Sequence, residues 1–280
     1  MTATGTRPGE IPFWSEDALT ARAKAVWTAG DYHPVARSFA NGAGEFVDRL
    51  RLRRGEWVLD AACGTGNLTL PAACTGANVT GIDLAPTLIA QARIGARHAG
   101  CTIHYDIGNV EELPYATDQF DTVMSMFGAM FAYRPDAVAR ELARVTRRGG
   151  RIALANWTPD GFVGAMLRAH VAALPHASGT PSPLEWGVES LVRDRLGGYT
   201  SAITCTVRTI EITFPCAPAE VVEIFATSYG PTVTTLRAAE PDRGARLREV
   251  LTDLFTRANI AEPGHTTVVG EYLEVLAIVD

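Results

Sequence analysis

Lysine is nearly absent: Lys24 is the only one, beside 24 arginines (25 basic residues in all). Arginine codons are GC-rich and lysine codons are not, so we read the skew as base composition rather than a demand for guanidinium chemistry. Basic charge is also short overall. The formal net charge of -6 leaves no basic face to displace counterions from phosphates, which argues against a nucleic-acid partner. Cysteine is sparse: Cys63, Cys74, Cys101, Cys205 and Cys216 are odd in number and the nearest two lie eleven positions apart. That spacing excludes a CxxC zinc or redox pair and reads as reduced thiols. No apolar run reaches the roughly 18 residues of a membrane span. The opening MTATGTRPGEIPFW lacks a secretory h-region, so the expected location is cytoplasmic. Glycine (26) and proline (16) follow no period, which excludes collagen-like architecture, and no internal repeat is visible. With 47% hydrophobic and only 20% charged residues, the 280-residue chain is globular rather than disordered.

The pattern that is present changes along the chain. Residues 1–12 read as a loose leader and 13–54 as N-terminal lid helices. A first helix is predicted over 15–30, with Ser15 as N-cap and Gly30 as its stop, and a second over about 34–50. From 55 to 160, short apolar runs alternate with helical stretches: WVLDAA (57–62), NVTGID (78–83), CTIHYD (101–106), FDTVMSM (120–126) and GRIALANW (150–157), with helices near 66–75, 86–99 and 135–147. Gly149-Gly150 reads as the C-cap of the last. Strands about 20 residues apart with helices between them are βαβ units, so the fold class is α/β, a Rossmann-like, doubly wound and mostly parallel sheet expected to have seven strands. Residues 161–280 supply the remaining strands (202–214 and 267–279) and a helical cap over 161–173, 186–196, 218–229 and 242–259, with PTVTTLR as a plain connection.

In such a sheet ligands bind at the carboxyl ends of the strands where the order reverses. The first strand runs into Asp60-Ala61-Ala62-Cys63-Gly64-Thr65-Gly66-Asn67. Its glycines let the backbone turn sharply into a helix and approach a ligand closely. A dinucleotide site would want a third glycine where Thr69 stands and would be repelled by Asp60. That carboxylate suits S-adenosylmethionine (SAM), which carries an ammonium and a sulfonium. Asp83 ends the second strand 19 residues after Gly64 and is placed to accept both ribose hydroxyls, a need SAM shares with NAD. After the third strand, Asn109 and the backbone amide at Val110 are placed to read an adenine edge. His104-Tyr105-Asp106 puts two metal-type ligands on one strand face but offers no third, so no metal is expected.

The stretches VLDAACGTGNLTL, VTGIDLAPTLIAQAR, GNVEELPYATDQFDTVMSMFGAMFA and ELARVTRRGGRIALANWTPDGF occur in the order and spacing of class I SAM-dependent methyltransferases. The chain resembles their branch near the ubiquinone/menaquinone-biosynthesis methyltransferases over about residues 30–165. The likeness beyond that is looser and rests on SPLEWGVESL, SYGPT and GEYLEVLAI. The resemblance implies SAM as methyl donor and S-adenosylhomocysteine as product. It implies that Asp60, Ala62, Gly64, Gly66 and Asn67 hold the methionine end, Asp83 the ribose, and Leu84, Asn109 and Val110 the adenine. Ser125 and Met126 would line the transferring methyl, and Tyr32 in GDYHPVA would close over the methionine carboxylate. Ala62 stands where the family has glycine and Asn109 where it has aspartate.

Methyl transfer is an in-line displacement at an activated carbon, so the enzyme mainly aligns the acceptor and excludes water. No residue is assigned as catalytic. Acceptor-side candidates are His33, Asn156 and Trp157, followed by Met130, Trp186, Tyr229 and His265. The late helices offer Phe162, Met166, Leu167, Phe225, Leu251 and Phe255 as walls for a small, aromatic or lipophilic acceptor. The alternatives are a SAM-binding enzyme that catalyses a cyclisation or rearrangement, and a non-catalytic SAM-binding interaction protein. A homodimer is compatible with the sequence.

Overall fold

A computed structural model describes residues 15–175 and 180–280. The expected leader at 1–12 lies outside the described residues. Seven strands form one sheet: β1 (Trp57–Ala61), β2 (Asn78–Asp83), β3 (His104–Ile107), β4 (Phe120–Met126), β5 (Thr146–Trp157), β6 (Thr200–Phe214) and β7 (Thr266–Val279). Their order is β3-β2-β1-β4-β5-β7-β6. Pairings from β3 through β5 are parallel, and β7 enters antiparallel between β5 and β6.

The described helices are α1 (Glu16–Trp27), α2 (His33–Arg37), α3 (Ala40–Leu50), α4 (Thr69–Cys74), α5 (Pro86–His98), α6 (Pro135–Val145), α7 (Phe162–Ala173), α8 (Glu189–Leu196), α9 (Pro218–Ser228), α10 (Gly230–Ala238) and α11 (Pro241–Ala258). The strand order runs outward from β1 in both directions. Because β–α–β crossovers are right-handed, α4 and α6 lie on opposite faces of the sheet. The open edge of the reversal is therefore between β1 and β4, at their carboxyl ends.

Local chemistry explains the boundaries. Ser15 caps α1 as expected, its hydroxyl accepting from the Ala18 amide at 3.3 Å. Yet α1 has no buried residue and leans on the body through one edge. The second expected helix is broken in two at Ser38-Phe39. The carbonyls freed there find partners outside the helix: Ala36 O accepts from Asn67 Nδ2 at 2.7 Å and Ser38 O accepts the Thr213 amide of β6 at 2.8 Å. The segment α3 then buries Ala43, Phe46, Val47 and Leu50, so it belongs to the core more than to a lid.

Four further expectations are corrected. The α6 helix stops at Val145, and Gly149, with φ of 70°, turns the chain inside β5 rather than capping the helix. The third strand begins at His104 instead of Cys101. The segment at 230–238 is a helix, α10, because Pro231 pre-sets its first turn and Thr232, Val233 and Thr235 are buried against the body. The 186–196 helix divides into a 3-10 turn at Pro183–Gly187, capped by Ser182 and Glu185, followed by α8.

Candidate functional site

A cavity lies at the carboxyl ends of β1, β2 and β4, where the strand order reverses.

Its floor is the β1 turn. Ala62 takes φ of 58°, Gly64 55° and Gly66 94°, three left-handed residues within five positions. A Cβ on Gly66 would lie 2.8 Å from Thr69 Oγ1 and 3.0 Å from Tyr105 Oη, whereas one on Gly64 would meet nothing within 4 Å. Gly66 is thus required by packing, and Gly64 leaves bare backbone facing open space. Ala62 supports the left-handed conformation without glycine because Gly128 makes room: a Cβ on Gly128 would sit 2.4 Å from Ala62 O and 2.8 Å from Ala62 Cβ. Its neighbour Phe127 is also left-handed at φ 55°. Strain stored on both sides of one contact marks a position the surrounding fold over-determines.

Asp83 closes the back of the turn. Its Oδ2 accepts the Gly64 amide at 2.9 Å and its Oδ1 the Ala85 amide at 2.9 Å, so each oxygen keeps a lone pair for a ligand in the cavity it lines. Burial raises its pKa, and the backbone amides of Ala85, Gly64 and Leu84 only partly offset that rise.

Asp60 is placed differently from the expectation. It is 1% exposed and does not line the cavity; its carboxylate lies behind the turn, where the Thr69 backbone favours its charged form. Burial, and then the Asp83 charge, hold its pKa well above the carboxylate range, and Oδ2 has no hydrogen-bond partner among the described residues. Asp60 therefore sits behind the turn rather than facing the cavity. Cys63 lines the cavity, and its thiol is kept protonated by burial and then by Asp60 and Asp83.

The other cofactor candidates sort by geometry. Tyr32, Ala62, Gly64, Asn67, Asp83, Leu84, Asn109, Val110 and Met126 all line the cavity. The Asn109 Oδ1, expected to face adenine, already accepts the Glu111 amide at 3.0 Å, and its Nδ2 donates to Thr20 Oγ1 at 3.1 Å. Asn109 thereby ties the loop after β3 to α1. Ser125 does not line the cavity; its hydroxyl donates to Ala61 O at 2.6 Å and accepts the Ala129 amide at 3.1 Å, bracing β4 against β1. Tyr32 is a neutral phenol, its pKa raised by burial and then by Asp83.

None of the acceptor-side candidates lines this cavity. His33 and His265 are exposed. Trp157 stacks on Phe127 with ring centroids 3.5 Å apart and 8° between planes, holding a wall residue from behind. Asn156, Met130, Trp186 and Tyr229 are buried. Phe162, Phe225 and Phe255 pack on one another, with Phe162–Phe255 at 4.9 Å and Phe225–Phe255 at 5.3 Å. The late helices therefore consume their own aromatic faces and prop α1 and α2 from outside.

The wall is built instead from Trp27 of α1, Tyr32 and Phe39 beside α2, and Phe127, Phe131 and Tyr133 after β4. Trp27 lies 5.1 Å from Phe131 and 5.8 Å from Tyr32, edge to face. The signal for these residues was present in MFGAMFAY at 126–133, an aromatic run directly after a strand whose carboxyl end faces the site. Among the described residues no lysine, arginine or histidine lines the cavity. No group of three or more metal-type ligands occurs among the described residues, and His104 pairs with Asp106 at 2.9 Å on the surface.

The floor fits a SAM-like ligand. Exposed backbone over Gly64 accommodates close approach, a buried carboxyl with open lone pairs accepts hydroxyls, and Asp83 once ionised favours a cation.

Comparisons with known proteins agree. Residues 59–154 match the methyltransferase domain family. An uncharacterized protein of Mycobacterium tuberculosis is 37% identical over 237 residues, covering 82% of this chain and 86% of that protein. The ubiquinone biosynthesis O-methyltransferase of Xanthomonas euvesicatoria is 33% identical over 169 residues, 59% of this chain and 70% of that enzyme. Among solved structures, the YcgJ protein of Bacillus subtilis superposes with a TM-score of 0.57 at 18% identity, covering 85% of this chain and 98% of that one; this likeness shows the fold alone. The chain belongs to the class I SAM-dependent methyltransferases, in the branch near those of ubiquinone and menaquinone biosynthesis.

Proposed function

We propose that this protein transfers the methyl group of SAM to a small aromatic or lipophilic molecule held in the same cavity. The observation that carries the reading is the division of one cavity into an acidic, glycine-lined floor and an aromatic wall. When bound, SAM supplies an activated methyl on a sulfonium that leaves as a neutral thioether. The protein's part is placement and exclusion of water. In this reading Asp83 accepts the ribose hydroxyls, Leu84 and Val110 flank the adenine, and the Gly64 region meets the methionine end. Met126 and Tyr32 border the space between donor and acceptor, and α1 covers it through Thr20, Ala23 and Trp27. No helix of the described residues is long and apolar enough to cross a membrane.

Two measurements test this reading. Calorimetric titration with SAM and S-adenosylhomocysteine, alongside NADH, is expected to show micromolar adenosyl binding that Asp83→Ala removes. Labelled-methyl transfer to a panel of aromatic acceptors is expected to give a methylated product. Tight SAM binding with conversion of an acceptor but no label in the product would replace methyl transfer by a rearrangement on the same fold. A preference for NADH would overturn the cofactor assignment.

A further inference from the structure

Cys74 and Cys101 lie far apart in the sequence, and the fold brings them together. Cys74 is the last residue of α4 and stands one helical turn beyond Leu70, on the same face. Leu70 and Ile103 both pack on the small apolar cluster beside α5 that includes Ala92, Ala96 and Tyr105, and a Cβ on Gly95 of α5 would stand 3.6 Å from Leu70 Cδ1. Cys101 lies just past the end of α5, its amide donating to Ala96 O at 2.9 Å, two residues before Ile103. Both thiols are thus delivered to one edge of this cluster, and they meet there. Burial, and then the Cys74 thiol with which it hydrogen-bonds, push the Cys101 thiol up. Both are free thiols, Cys74 exposed and Cys101 half-buried.

The pair stands behind the floor of the cavity. The α4 helix begins at Thr69, whose hydroxyl is bonded to Gly66 O at 3.1 Å and to Tyr105 Oη of β3 at 2.7 Å. That bond ties the first turn of α4 to β3. Cys74 and Cys101 bring the far end of the same helix against the segment that leads into the same strand. A Cβ on Gly66 would lie 2.8 Å from Thr69 Oγ1 and 3.0 Å from Tyr105 Oη, so movement of α4 against β3 is transmitted to the turn.

We propose that Cys74 and Cys101 form a modification site at which a peroxide closes a reversible disulfide, fastening α4 to β3 behind the Gly64–Gly66 turn. Cys74 is exposed and meets the oxidant first. Its sulfur attacks hydrogen peroxide, the O–O bond breaks, a sulfenic acid forms on Cys74, and the thiol proton leaves in a molecule of water. The Cys101 sulfur, already against it, then attacks the Cys74 sulfur. The S–S bond forms as the S–OH bond breaks, and the hydroxide departs as water with the Cys101 proton. Two thiols have lost two electrons, and the peroxide is reduced to two waters. A small thiol reductant reverses the bond by exchange through a mixed disulfide.

The test uses the full chain, reduced and then treated with a small molar excess of hydrogen peroxide. Tandem mass spectrometry of a non-reducing digest is expected to show Cys74 linked to Cys101 with the loss of two hydrogens. Dithiothreitol should remove the link, and Cys74→Ser and Cys101→Ser should each prevent it. The linked chain is expected to melt about 3 °C or more above the reduced chain, because the bond constrains the unfolded state. Amide exchange across Gly64–Thr69 is expected to slow about twofold or more, because the helix behind the turn is then held at both ends. In the two serine variants peroxide should change neither quantity. Oxidation of either cysteine to a sulfinic acid without a link, a link between two chains through Cys74, or a formed link that leaves either the melting temperature or the exchange of the turn unchanged overturns the proposal. None of these readouts uses SAM, so they stand or fall apart from the methyltransferase reading.

Discussion

At the scale of single residues, Asp83 and the Ala62–Gly128 contact give the sharpest expectations. The Asp83 pKa is raised in the folded protein, chiefly by burial. For an acid so shifted, the folded state favours the protonated form. Its contribution to stability is present at low pH and is lost as pH rises through the raised value. A cationic ligand binds best to the ionised form, so SAM affinity is expected to climb as pH rises through the Asp83 titration and then level off. Asp83→Asn should flatten that curve and weaken binding about tenfold or more, the loss of one charge-assisted contact. Calorimetry across a pH series that brackets the raised Asp83 titration checks both outcomes, and an unchanged slope in the variant removes Asp83 from the donor site. At Gly128, a Cβ 2.4 Å from Ala62 O cannot be relieved by side-chain rotation, because the obstacle is backbone. Gly128→Ala should cost about 3 kcal/mol or more. Ala62→Gly, which relaxes φ of 58° while loosening the unfolded chain, should stay within about 1 kcal/mol of the parent. Urea unfolding distinguishes them.

At the scale of elements, the sequence was legible where one local signal decided the structure and illegible where two competed. Asn78–Asp83 and Phe120–Met126 match their expected runs to the residue, because each is a short segment with apolar residues bounded by helical stretches on either side. Helices 34–50 and 186–196 were read as unbroken because their apolar spacing continues across the breaks, while the tertiary hydrogen bonds that favour a break, such as Thr213 N to Ser38 O at 2.8 Å, lie far away in sequence. The donor floor was readable from its glycines and acids. The aromatic wall was legible only in the run MFGAMFAY after β4, because elsewhere a cavity-facing aromatic and a core aromatic look alike in a sequence. The aromatics of the late helices were spent on packing, and those after β4 were left facing the cavity. The β1, β4 and β5 strands are tied at their starting ends by Glu56, whose carboxylate accepts Thr122 Oγ1 at 2.6 Å, Arg151 Nη2 at 2.9 Å and the Arg53 amide at 2.8 Å. Burial alone would raise its pKa, but these partners together hold it below the usual value. Its stabilisation is present at neutral pH and is lost as pH falls through the lowered pKa. Glu56→Ala leaves Arg151 and Thr122 without their shared acceptor and should cost about 2–3 kcal/mol at neutral pH. A loss below 0.5 kcal/mol, roughly the scale of an exposed pair, would show that the brace is dispensable.

At the scale of the whole molecule, two buried acids beneath one cavity couple ligand binding to stability. Asp60 and Asp83 both titrate above their ordinary values, each chiefly through burial and Asp60 also through Asp83. Without ligand, both therefore subtract from stability as pH rises through their raised pKa values. A bound sulfonium offsets that cost, and it does so only where the acids are ionised. Saturation to 100 times Kd contributes about 2.7 kcal/mol by mass action, or about 5 °C of melting temperature for a chain of this size. The shift produced by a fixed SAM concentration should accordingly be small at pH values below the two raised titrations and several degrees larger above them. S-adenosylhomocysteine, which lacks the sulfonium charge, should show a flatter dependence at the same pH values. The helix α1, with no buried residue and ties to the cavity rim that include Thr20–Asn109 at 3.1 Å, the Glu16–Arg134 pair, Arg22–Tyr133 and the Trp27 ring contacts, should gain amide-exchange protection in the same titrations, because its own side chains are not buried before a ligand adds contacts. A thermal shift independent of pH, or one larger at the acid end, would show that the buried acids do not sense the ligand's charge and that the cavity binds through shape alone.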